Sequence, residues 1–153
     1  MAEVKVFNGI DDLKASVGQS YGPTDWFEVS QDRVNAFADA TEDHQWIHVD
    51  VEKAKSGPFG ATIAHGFLTL SLIPMFGPQL TRVDNVKMGV NYGCDKVRFP
   101  HPVPVGSKLR ASAKLLDVTD IAMGSRATWE WTIEAEGIDK PVCVASMLSV
   151  IVA

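Results

Sequence analysis

The chain has 153 residues, 46% of them hydrophobic and 22% charged, with a net charge of −5. That length suits one well-buried core and is too short for two ordinary domains, so residues 1–153 are expected to form a single domain. The composition is that of a globular protein rather than a disordered one, and an acidic balance without any run of Lys and Arg argues against a nucleic-acid partner.

The stretch from Met1 to Val17 interleaves acids with short apolar pieces, which is not the pattern of a secretory signal. Asn8 followed by Ile10, Leu13 and Val17 at helical spacing, with Gly18 behind them, predicts a short capped helix. Trp26, Phe27 and Val29 predict a first strand. Ser30 is placed to cap a second helix whose inward residues are Val34, Phe37 and Ala38, fraying near Thr41. Asp50 caps one further turn through Ala54, stopped by Ser56-Gly57-Pro58. Thr62 to Phe76 is apolar on nearly every side and predicts a helix buried over most of its circumference, loosened by Pro74 and ended by Gly77-Pro78. No apolar segment reaches the ~20 residues of a membrane span, so no membrane partner is expected.

From Val86 onward the apolar period changes to two. Val86, Met88, Val90 and Tyr92 alternate with polar or small residues, followed by Val97 and Phe99. Leu109 to Leu115, Ala127 to Ala135 and Val142 to Val152 repeat the pattern, separated by Pro100–Gly106, Met123-Gly124 and Gly137 with Pro141. Four long strands joined by short turns predict a mostly antiparallel sheet, and the Thr62–Phe76 helix is the segment apolar enough to cover it. A curled antiparallel sheet around one central helix is the hotdog architecture, an α+β fold. Cys94 and Cys143 fall in predicted strands and are read as buried free thiols, which suits a reducing cytoplasm and disfavours a cysteine nucleophile. Trp129 and Trp131 share one strand face and are read as packing or dimer contacts.

Candidate chemistry concentrates in Asp43-His44-Gln45-Trp46-Ile47-His48, which sets a carboxylate and an imidazole five positions apart, and in Ala64-His65-Gly66, which opens the apolar run. These segments resemble the MaoC-like hydratase/dehydratase family, which includes the (R)-specific enoyl-CoA hydratases. Asp43, Ile47 and His48 keep that family's spacing of Asp, aliphatic residue and His. Gln45 and Trp46 stand where the family usually has Asn-Pro. Ala64-His65-Gly66-Phe67 is similar to the family's segment at the start of the central helix. Lys96-Val97-Arg98-Phe99-Pro100, with Pro102-Val103 and Gly106, is similar to the strand and loop that follow. The resemblance runs from about Phe27 to the C-terminus. It is closest to short, single-hotdog members, which act as homodimers with sites near the subunit interface.

The resemblance implies addition of water to a trans-2-enoyl-CoA to give an (R)-3-hydroxyacyl-CoA, or the reverse. Coenzyme A enters as part of the substrate and no separate cofactor is needed. Asp43 and His48 are the expected acid/base pair holding one water, a role typically worth roughly 10²–10⁴ in rate. Gly66, near a helix start, offers a backbone N–H to the thioester oxygen and, lacking a Cβ, allows close approach. Such a donor is commonly worth about 2.7–4 kcal/mol of barrier. Gln45, Trp46, Phe59, Ile63 and Phe67 are the candidates for binding substrate. His65 is read as structural, bonding backbone at the helix entry, and His101 as facing solvent. Arg98 is weighed as a contact for coenzyme A phosphates and read as a solvated strand-edge charge. His44 and His48 are four apart with Asp43 and Asp50 nearby, yet they lie on no convincing helix, so no metal site is expected. Competing readings are a dehydratase acting on acyl carrier protein, a thioesterase, and an acyl-CoA binding protein without turnover.

Overall fold

The computed structural model describes residues 3–153, so Met1 and Ala2 of the N-terminal stretch lie outside the described residues. In chain order the elements are β1 (Lys5–Asn8), α1 (Gly9–Lys14), β2 (Ser20–Tyr21), β3 (Phe27–Glu28), α2 (Gln31–Thr41), α3 (Trp46–Val49) and α4 (Val51–Lys55). They continue with α5 (Gly66–Ser71), α6 (Ile73–Leu80), β4 (Thr81–Asp84), β5 (Met88–Arg98), β6 (Lys108–Ile121), β7 (Gly124–Ala135) and β8 (Cys143–Val152). The main sheet runs β2-β6-β7-β8-β5, all antiparallel, with β3 also pairing β6. A separate parallel pair joins β1 to β4.

The sheet accepts the helices because large and small side chains alternate across neighbouring strands. Trp131 stands between Ala113 on β6 and Ala145 on β8, and Ile133 between Ala111 and Cys143. Small residues flanking each bulky one keep that face even, so Leu68, Leu72, Ile73 and Phe76 can settle against it as one buried core. Register shifts between Leu115 and Asp117 in β6, and at two places in β5, mark the bulges that curl the sheet. A second, smaller core of Phe7, Leu13, Leu115, Ala127 and Ile151 fills the far end.

Several local expectations need correction. Asn8 makes no side-chain cap; instead its own N–H donates to Asp12 Oδ2 at 2.8 Å, and α1 stops at Lys14, leaving Val17 exposed. The first strand shrinks to Phe27–Glu28, and β1, β2 and β4 were not foreseen; each is too short for an alternation to register. The central helix begins at Gly66, four residues later than expected, because Thr62–His65 is an extended segment whose Ile63 bridges Pro104. It is also two helices. The N–H of Leu72 tightens back onto Thr69 O at 3.2 Å, and Pro74 sits in the first turn of α6, where its missing N–H costs nothing. Gly77-Pro78 does not end it, since α6 runs on to Leu80.

The helix pair is not buried over most of its circumference either. Phe67, Ser71, Pro74 and Pro78 form an exposed stripe, with Phe67 at 68%. Met88, Val90 and Tyr92, whose alternation reads as a buried face, are exposed on the edge strand β5. Cys94 on the same strand is exposed, against expectation; Cys143 is buried, and burial pushes its thiol up to about 11. Ser30, Asp50 and the strands β6 to β8 match their expected roles, Ser30 accepting from Arg33 N and Asp50 from Lys53 N. Trp131 is buried and Trp129 half-buried, both packed in the core.

Candidate active site

Helix α2 ends on Glu42 in the left-handed conformation (φ 63°), which turns the chain so that Asp43 heads back over the helix end. Asp43 Oδ1 accepts from the N–H of Gln45 at 3.3 Å, an Asx-type turn that launches the single turn of α3. That turn points His48 inward, leaving it 7% exposed. The extended segment behind it is held on both sides. Ile63 N donates to Ile47 O at 3.0 Å, Ala64 N to Val103 O at 2.8 Å, and Val105 N to Thr62 O at 2.9 Å. Residues 62–65 are thereby clamped between α3 and the loop before β6, and they deliver His65 and Gly66 opposite His48.

Hydrogen bonds fix the imidazoles. His48 Nδ1 lies 2.7 Å from Ile63 O, and because a carbonyl only accepts, Nδ1 carries a proton and, in the neutral imidazole, Nε2 keeps its lone pair. His65 Nε2 lies 3.0 Å from Asp43 O and by the same logic donates to it. The two rings stack, centroids 3.9 Å apart at 24°. Ligating atoms of Asp43, His48 and His65 all fall within 4.8 Å of one another, a separation that one water bridges with two ordinary hydrogen bonds. Asp43 is half exposed, which leaves its carboxylate accessible from outside.

Gly66 is the first residue of α5. Leu68 N and Thr69 N both turn back to His65 O, while the N–H of Gly66 has no acceptor in the backbone network. A Cβ at this position would meet the Phe99 ring at 2.9 Å, so glycine is what lets β5 and the helix start approach this closely. Two cavities meet here. One of about 560 Å³ is lined by Phe37, Thr41, Asp43, His48, His65, Gly66, Phe67 and Ser71. The other, about 280 Å³, shares His48 and Gly66 and is otherwise mostly apolar, with Phe59, Ile63, Phe99 and Val103 among its walls.

The sequence-derived candidates are therefore brought together in part. Asp43, His48, Gly66 and Phe67 line the larger cavity, and Phe59 and Ile63 the smaller. Gln45 and Trp46 line neither; Trp46 packs under Lys53 and against Gly57 instead. His65 does bond backbone at the helix entry. His101 is half-buried and walls the smaller cavity rather than simply facing solvent. Arg98 turns its guanidinium to the carbonyl of Val97 on an exposed strand, as a solvated charge would. Sequence reasoning missed Gln31, whose Nε2 donates to His48 O at 2.8 Å and whose Oε1 accepts from Thr62 at 2.7 Å. It lies 17 residues from one partner and 31 from the other, so no local spacing signals it. Thr69, buried with an unpartnered hydroxyl on the smaller cavity, was missed as well.

An antiparallel sheet curled on a central helix, with a carboxylate, an imidazole and an open glycine N–H around one cavity, defines a hotdog-fold enzyme of the hydro-lyase type. The pattern of the MaoC like domain matches residues 12–135, and the chain belongs to that family. It is 51% identical over 146 residues to 3-hydroxyacyl-thioester dehydratase Z of Mycobacterium tuberculosis, across 95% of this chain and 97% of that one. Nodulation protein N of Rhizobium leguminosarum bv. viciae is 40% identical over 143 residues, across 92% and 89%. Among solved structures, the (R)-hydratase from A. caviae involved in PHA biosynthesis superposes with a TM-score of 0.71 at 24% identity, covering 87% of this chain and 94% of that one. Among the described residues no helix is long and apolar enough to cross a membrane.

Proposed function

We propose that this protein catalyses the reversible hydration of trans-2-enoyl-CoA to (R)-3-hydroxyacyl-CoA, with Asp43, His48 and Gly66 carrying the reaction. The observation behind this is the convergence of a carboxylate, an imidazole with a bare Nε2 and an unpartnered glycine N–H on one cavity. A water held between Asp43 and His48 loses a proton to Nε2 as its oxygen bonds to Cβ of the substrate. The π electrons move toward Cα and charge develops on the thioester oxygen, which takes the N–H of Gly66. The proton then passes to Cα, so water is added across the double bond and the enzyme returns to its starting state. The family resemblance implies that both groups act on one face of the substrate, which would give the single (R) product. The apolar walls of the smaller cavity suit an acyl chain, and Phe59 and Ile63 act there as binding residues. No cofactor is called for beyond the coenzyme A of the substrate.

The same groups run the dehydration, and the name of the 51% identical relative, a 3-hydroxyacyl-thioester dehydratase, favours that direction as a second reading. Mixing the protein with crotonyl-CoA, and separately with crotonyl acyl carrier protein, tests both. Loss of the conjugated thioester's ultraviolet absorbance, with (R)-3-hydroxybutyryl thioester as product, supports hydration, and the faster carrier identifies the substrate. Saturable binding without absorbance change marks an acyl-binding protein, and release of free thiol marks a thioesterase; either outcome contradicts the proposal.

A further inference from the structure

We propose that His65 is a positioning residue that sets both members of the acid/base pair at once; the proposal rests on the reading of Asp43 and His48 given above. Three contacts carry it. The ring of His65 lies face to face with that of His48, centroids 3.9 Å apart, and thereby fixes the plane in which Nε2 of His48 presents its lone pair. Its Nε2–H donates to the backbone carbonyl of Asp43 at 3.0 Å, pinning the residue that carries the carboxylate. It also packs against Phe37 of α2, ring centroids 4.9 Å apart at 51°, which adds a second aromatic neighbour to the ring. It also immediately precedes Gly66, which ties the amide donor to the same rigid unit.

A histidine kept only for packing would have both ring nitrogens satisfied. Here Nδ1 is buried in a side chain 3% exposed and has no partner among the described residues. A phenylalanine would fill the volume without leaving that nitrogen bare. What phenylalanine cannot do is donate to Asp43 O. The orphaned Nδ1 is thus the cost of having Nε2–H where the reacting carboxylate needs an anchor. Misplacement of a reacting group by about 1 Å is enough to lose on the order of a hundredfold in rate.

The test is steady-state hydration of crotonyl-CoA by the full-length protein carrying His65→Phe, His65→Gln or Asp43→Asn, and by the double variant His65→Phe/Asp43→Asn, with thermal denaturation of each. Glutamine places an N–H where Nε2 stood, and phenylalanine keeps the ring without the donor. We expect His65→Phe to lower kcat at least tenfold with KM changed less than twofold, and His65→Gln to recover several-fold of that loss. In the Asp43→Asn background His65→Phe should add less than twofold, because phenylalanine keeps the ring stacked on His48 and removes only the bond that anchors residue 43. Should phenylalanine prevent folding, His65→Asn, too short to reach Asp43 O, takes its place with the same expected loss. Equal losses for the glutamine and phenylalanine variants that track thermal stability overturn the proposal, as do fully multiplicative losses in the double variant. An unchanged kcat in Asp43→Asn removes the reading of the pair itself, and this proposal with it.

Discussion

Under the proposed mechanism, a water between Asp43 and His48 would meet two unlike neighbours, one half open to solvent and one almost sealed. The sealed partner is the better-defined one, because Ile63 O commits its Nδ1 and leaves a single lone pair for the proton. Gly66 adds a steric condition to its electrostatic one. An alanine there brings a Cβ to 2.9 Å from the Phe99 ring, which is partly exposed. Gly66→Ala is expected to lower kcat by about a hundredfold through misplacement of the thioester, measured on crotonyl-CoA. Gly66→Ala with Phe99→Ala should keep at least a tenfold loss, since the Cβ still stands where the substrate oxygen approaches. Full recovery in the double variant would mean that the glycine serves the protein fold alone.

At the scale of elements, the order of helices and long strands was legible from apolar period alone, and the Asp43–His48 spacing placed the site on the segment leaving α2. What periodicity could not show was the break at Leu72 and the extended run Thr62–His65. The break lies in an almost wholly apolar run and the extended segment is only four residues long, so no period distinguishes either; long-range bonds to Val103 and Ile47 decide the conformation of the latter. Gln31 was illegible as a support for the same reason, and for His65 the structural role was legible but not its partner Asp43, 22 residues away. The β7 start offers a test of how the sheet is closed. Gly124 has φ of 153°, and a Cβ there would sit 1.9 Å from Ile151 O. Gly124→Ala should cost more than ~1 kcal/mol in denaturant unfolding, with the β7–β8 pairing as the region disturbed. An unchanged midpoint would show that the Met123-Gly124 turn is not a constraint on the strand ends.

For the whole molecule, the long edge strand β5 is the feature left unresolved within one chain. It exposes Met88, Val90 and Tyr92 beside a cleft that reaches Trp129 and Trp131 under α6. An uncovered edge with apolar side chains is what proteins ordinarily pair or hide, and a homodimer is the expected solution. Sedimentation at micromolar concentration should give twice the mass of one chain, and Tyr92→Lys should shift it toward monomer. A single-chain mass for the parent would contradict this.

The central claim is that Asp43 holds the reacting water and His48 moves its proton to the substrate. Its most direct test is the rate of crotonyl-CoA hydration by Asp43→Asn and His48→Gln, each verified as folded by circular dichroism. A loss of at least about a hundredfold in kcat for both variants is predicted. Parent-like rates in either folded variant would contradict the account.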